Sequence, residues 1–144
     1  FAYGSCLVDP AVAKVGDTDS AMIVMKTASG RLCHINNSRR ASYGYDQRLE
    51  VHGSKGRLIA GNRTDTTVEL ANAAAVSSDK PLHFFLERYA DAYRLELAAF
   101  VHAVVKRQPV PVGGEDGRQA IVLAEAAVKS LRTGRPGKLA PPRR

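Results

Sequence analysis

The stretch QRLEVHGSKGRLIA, running from Gln47 to Ala60, decides the fold. Leu49 and Val51 fall on one side of it and Arg48, Glu50 and His52 on the other, the two-residue period of a β-strand. Gly53-Ser54-Lys55-Gly56 then supplies a turn, and Leu58-Ile59-Ala60 returns. In a dinucleotide-binding unit a glycine-rich turn must lead from a strand into a helix, whose N-terminus takes the pyrophosphate. Here the glycines lead into another strand. The stretch predicts a hairpin, and with it antiparallel pairing.

Strand signals continue toward the N-terminus. Ala2 to Val8 is an apolar stretch that stops at Asp9-Pro10, where proline cannot continue a ladder. Ala21-Met22-Ile23-Val24-Met25 is a continuous apolar run, the pattern of a strand covered on both faces. Ser29-Gly30 makes a turn and Arg31 to Asn36 returns, a second hairpin. On the other side, Thr67 to Leu70 alternates again.

Helical spacing takes over from Pro81. Leu82, Phe85, Leu86, Tyr89, Tyr93, Leu97, Phe100, Val101 and Val104 predict an amphipathic helix to about Lys106, with Pro81 in its first turn. Two prolines and two glycines between Gln108 and Gly114 break it. A second helix is predicted from Glu115 to Arg132, burying Ala120, Leu123, Ala127 and Leu131 and stopped by Gly134. Strands followed by helices, without alternation, make the chain α+β: a mostly antiparallel sheet with helices packed on one face.

Composition narrows the function classes. With 144 residues the chain has the size of one domain. The net charge of +7 raises nucleic acid as a partner, but the basic residues are scattered and Arg39-Arg40 and Arg143-Arg144 lack interleaved aromatics. Neither nucleic acid nor membrane is expected, since no apolar run approaches the roughly 20 residues that span a bilayer. Cys6 and Cys33 are expected to be reduced, buried thiols, which suits a cytoplasmic location. Residues 140–144 are expected to form a mobile basic tail. The start at Phe1 leads us to expect that a longer protein continues upstream.

The densest polar segment is Asn36 to Arg40 followed by Tyr43-Gly44-Tyr45-Asp46-Gln47-Arg48. Phenol, carboxylate, amide and guanidinium groups together suit a polyol, each hydroxyl of which donates and accepts. The same composition also describes a solvated connection whose arginines pair with nearby acids, and composition does not choose between them. Tyr89 belongs to the apolar stripe of the first long helix, where packing is its default role. The histidines lack metal-ligand spacing, and no nucleophile elbow, P-loop or metal motif is present.

INNSRRASYGYDQRLEVHGSKGRL, from Ile35 to Leu58, resembles the inositol 2-dehydrogenases of the glucose–fructose oxidoreductase (Gfo/Idh/MocA) family. Gly4 to Pro10 is similar to the entry into their C-terminal domain. Phe84 to Tyr89 and Gly114 to Arg118 resemble later segments of it. The resemblance implies residues 1–139 as a substrate and oligomerisation domain whose free sheet face packs on another subunit. It implies a polyol substrate, inositol, and places Tyr43, Tyr45, Asp46, Gln47, Arg48 and Tyr89 around it. It also implies NAD held by an N-terminal Rossmann domain that this sequence lacks. An Asp-x-x-x-His pair that assists proton removal in the family is absent as well. The resemblance thus assigns no catalytic, cofactor-binding or metal residue here, and this chain alone is expected to be inactive. The alternatives are a free-standing oligomerisation or ligand-binding module, or a relative acting on another inositol or sugar.

Overall fold

Three separate antiparallel sheets and two long helices make up the computed structural model, which describes residues 1–139. The predicted basic tail, 140–144, lies outside the described residues. The fold is α+β, and every strand pairing among the described residues is antiparallel. Among the same residues no helix is long and apolar enough to cross a membrane. The chain divides into two compact units, one built from Phe1–Arg40 with the chain from Val110 onward, the other from Ala41–Pro109.

In the first unit, β1 (Ala2–Ser5), β2 (Ser20–Lys26) and β3 (Leu32–Ser38) form a sheet with β2 in the middle. The predicted β2–β3 hairpin turns at Gly30, whose φ of +86° suits a residue without a Cβ. Its register pairs Met22 with Asn36 and Val24 with His34. Helix α3 (Gly114–Thr133) packs on β1. Gly4 permits this close approach, because a Cβ there would stand 3.0 Å from Thr18 and 3.3 Å from Leu131. The N–H of Ala2, buried under the helix, donates to Ser130 Oγ at 3.0 Å.

On α3, Ser130 is buried and Val122, Ala126, Ala127 and Leu131 are half-buried, the last two as expected. Ala120 and Leu123, expected inside, are exposed. Ser130, the buried residue of the helix, is drawn in by the bond of its hydroxyl to the Ala2 N–H, a demand that apolarity does not mark. The αL cap at Gly134 is as predicted.

β2 alternates instead of being covered twice. Ala21, Ile23 and Met25 are half-buried, whereas Met22 and Val24 are 62% and 58% exposed. Cys33 is exposed on β3 and Cys6 half-exposed, so both thiols are free but neither is buried as expected. A short helix, α1 (Pro10–Lys14), follows β1 where only a strand end was foreseen. Asp9 caps it through Oδ1 on the Ala11 N–H at 2.9 Å. The turn before it closes on Asp19, whose carboxylate accepts from the N–H groups of Leu7, Val8 and Asp9 at 2.8–2.9 Å and from Ser20 Oγ. The backbone donors of Leu7 and Asp9, above all, hold this carboxyl far below the ordinary carboxylate range.

The second unit contains the hairpin β4 (Leu49–Gly53) and β5 (Gly56–Ala60), the short pair β6 (Glu69–Ala71) and β7 (Val76–Ser78), and helix α2 (Phe85–Lys106). Pro81 does not enter the helix. It bridges Thr64, while the Leu82 N–H donates to Arg63 O at 2.9 Å, and the helix begins only after the N-cap at Phe84. Most of the apolar stripe of α2 is exposed in this chain, with Ala103 its buried residue.

Ser130→Ala leaves the Ala2 N–H buried without an acceptor. It is expected to cost about 1–3 kcal/mol, read as a lower denaturation midpoint with unchanged helix content by circular dichroism.

Candidate functional site

The loop between Ala41 and Arg48 is folded by its own chemistry. Gly44 takes φ +134°, and a Cβ on it would lie 2.5 Å from Pro81 O. The backbone passes so close because the Tyr45 N–H donates to Leu82 O at 2.9 Å. Only glycine meets both demands. Its neighbours Tyr43 and Tyr45 are thereby fixed on either side of a sharp turn.

Asp46 organises the residues around this turn. Its Oδ1 accepts from Arg48 Nε and Asn62 Nδ2, both at 2.8 Å. Its Oδ2 accepts from Arg48 Nη2 at 3.0 Å and from the Tyr43 hydroxyl. Four donors fill the lone pairs of one carboxylate. The Arg48 fork first, then Tyr43 and Asn62, hold its pKa down to about 2. The reciprocal effect raises the Tyr43 phenol above its ordinary value, chiefly through the same hydrogen bond, and raises Arg48.

Asn62 joins this cluster to the next. Its Oδ1 accepts the Gln47 N–H at 2.9 Å, which obliges its Nδ2 to face Asp46. The Gln47 side chain carries on, its Oε1 accepting from the Tyr89 hydroxyl. Tyr89 is half-buried between Tyr45, edge-on at 5.7 Å between ring centroids, and Tyr93 at 6.2 Å. Burial raises the Tyr89 phenol. The Arg88 guanidinium lies 5.6 Å from the Tyr89 ring centre, a cation–π distance.

The structure therefore brings Tyr43, Tyr45, Asp46, Gln47, Arg48 and Tyr89 into one network, continuous through Asn62. The sequence reading did not single out Asn62. The Gly61-Asn62 pair after β5 signals a turn, but nothing local says that its amide returns to a carboxylate sixteen positions earlier. Asn36 to Arg40, read together with this loop, lies in the other unit. There Arg39 pairs with Asp17 at 2.8 Å, the solvated-connection alternative for that part of the segment. The Gly53–Gly56 turn is a hairpin and does not lead into a helix that could take a pyrophosphate. It joins two antiparallel strands, as the register Gly53↔Gly56 shows.

Residues 2–139 match the oxidoreductase family's C-terminal alpha/beta domain, the Gfo/Idh/MocA C-terminal domain. The chain belongs to that family. Over 139 residues it is 50% identical to the myo-inositol 2-dehydrogenase of Thermotoga maritima, covering 96% of this chain and 42% of that protein. The crystal structure of a myo-inositol dehydrogenase from Corynebacterium glutamicum superposes with a TM-score of 0.91 at 42% identity, over 97% of this chain and 42% of the other. A scyllo-inositol dehydrogenase from Lactobacillus casei, solved with bound NAD(H) and scyllo-inositol, gives 0.82 at 26% identity over 93% and 39%. The chain thus spans about two-fifths of the length of the relatives it matches.

Asp46→Asn replaces an acceptor-only group with one that presents N–H to its donors. At neutral pH it is expected to cost on the order of 1–3 kcal/mol. A depressed folded-state pKa contributes stability that is full above the ordinary value near 4 and is lost as pH falls toward 2. The gap between the parent chain and the variant should accordingly narrow between pH 7 and pH 3 in denaturant titrations.

Proposed function

We propose that residues 1–139 are the substrate-side and oligomerisation domain of an NAD-dependent inositol 2-dehydrogenase. That enzyme oxidises a ring hydroxyl of myo-inositol to a ketone, and hydride passes to NAD. NAD would be held by a dinucleotide-binding domain outside this chain, since the residues described here do not fit it. The observation that carries the reading is the pre-organised wall from Tyr43 to Tyr89, in a chain half identical to a myo-inositol 2-dehydrogenase. Tyr43 is 47% exposed and the Arg48 side chain more so, and together they would present a phenol beside guanidinium N–H groups that Asp46 does not use. An arrangement of acceptor beside donor suits a hydroxyl that must do both. Asp46, with its lone pairs already taken, acts here by fixing Tyr43 and Arg48. Scyllo-inositol remains the second substrate reading, favoured by the likeness to a dehydrogenase solved with it.

The 144-residue chain, folded by circular dichroism, is expected to give no NADH with myo-inositol and NAD. Exchanged for the matching segment of the Thermotoga maritima relative, it should restore turnover on myo-inositol. There, Tyr43→Phe should raise KM roughly tenfold or more, the effect of leaving a polar substrate group unpaired. A folded chimaera that binds NAD but oxidises no inositol would sink the proposal.

We also propose a homo-oligomer through the sheet face of the first unit that α3 leaves free. Tyr3, Met22 and Val24 stand exposed there, apolar surface of the kind that marks an interface. Light scattering should show the chain larger than a monomer, and Met22→Glu with Val24→Glu should return it to one. A monomeric parent chain at micromolar concentration would refute this.

A further inference from the structure

Hydroxyl hydrogens can be placed in this site by elimination. The Gln47 backbone N–H can only donate, so the Asn62 atom that meets it is the carbonyl oxygen, and the Asn62 amide N–H₂ faces Asp46. Arg48 brings two further donors to the same carboxylate. A carboxyl group so surrounded is ionised and can only accept. The Tyr43 hydroxyl, sharing Oδ2 with Arg48 Nη2, must therefore give its hydrogen to Asp46.

Building on the polyol reading above, we propose that Tyr43 is a specificity-determining residue that offers a ligand lone pairs only, and so selects a ring hydroxyl able to donate. Its hydrogen is committed within the protein whether or not a ligand is present. A ligand atom opposite the phenol oxygen that lacks a hydrogen, whether a ketone oxygen or a fluorine, meets two acceptors face to face and leaves both unpaired. Tyr43 is 47% exposed, and its phenol is held in place by the bond to Asp46. The site thereby distinguishes the alcohol from isosteres that keep its size but lose its hydrogen.

Two measurements on the 144-residue chain, carrying carbon-13 at the ζ position of its five tyrosines, test this. Tyr43→Phe identifies the Tyr43 signal. The charged groups facing that phenol are Asp46 and Arg48. First, Tyr43 should titrate above a free tyrosine amide, and Asp46→Asn should bring it back toward that reference. A Tyr43 signal titrating with the reference in the parent chain means that the hydrogen is not held by Asp46, and overturns the inference. Second, the Tyr43 signal is followed against myo-inositol and each of its singly fluorodeoxy analogues, at high millimolar concentration. At one ring position fluorine should weaken binding about tenfold or more, and Tyr43→Phe should erase that difference. All analogues binding within about twofold of myo-inositol overturn the inference while leaving the polyol reading intact. A raised titration with no response to any inositol overturns the polyol reading, and the assignment of a hydroxyl ligand falls with it.

Discussion

The carboxylate of Asp46 has more donors than its own loop can supply. Tyr43 and Arg48 come from within a six-residue turn, but the fourth donor comes from Asn62, beyond the whole β4–β5 hairpin. That single long-range bond ties the polar loop to the hairpin's exit. Through the Gln47 backbone it reaches Tyr89 on α2 as well. The loop is thus ordered around a charge before any ligand arrives. A ligand bound there as proposed would avoid the entropy cost of ordering the loop. The buried Asp19 does the same for the other unit, closing the turn from Leu7 to Asp9 onto the start of β2. In both units the backbone follows a carboxylate that has to find partners.

How much of this could be read in the sequence varied with the range of the signal. Both glycine-marked hairpins were legible, because a turn and its flanking alternation are local. So was the end of α3, where Gly134 adopts the left-handed cap. Errors arose where a distant group intervened. Pro81 looked like a first-turn residue, yet its neighbour Leu82 is bonded to the Arg63 backbone. On α3, apolarity pointed to Leu123, which is exposed, while Ser130 is buried where its hydroxyl accepts the Ala2 N–H. The α1 helix carried a legible signal, Asp9 before Pro10, that was read only as a strand stop.

The candidate site was legible in its members and not in its wiring. The phenols, carboxylate and guanidinium of Tyr43 to Arg48 stood out by composition, and Tyr89 by its place on a helix stripe. Nothing in a one-dimensional pattern shows which of these groups faces which, so a binding wall and a solvated loop looked alike. Asn62 joins these groups into one network, and a lone asparagine after a strand carries no mark of that role.

The contact at Gly44 also bears on how this site could be redesigned. With a carbonyl 2.5 Å from where a side chain would begin, position 44 tolerates no diversity, and Asp46, enclosed by four donors, tolerates hardly more. A library meant to alter ligand choice would spend its variation at positions 43, 48 and 89, keeping at 43 and 48 side chains that still donate to Asp46. Randomising the whole Tyr43–Arg48 segment would mostly sample loops that have lost their shape, and few that have gained a new preference.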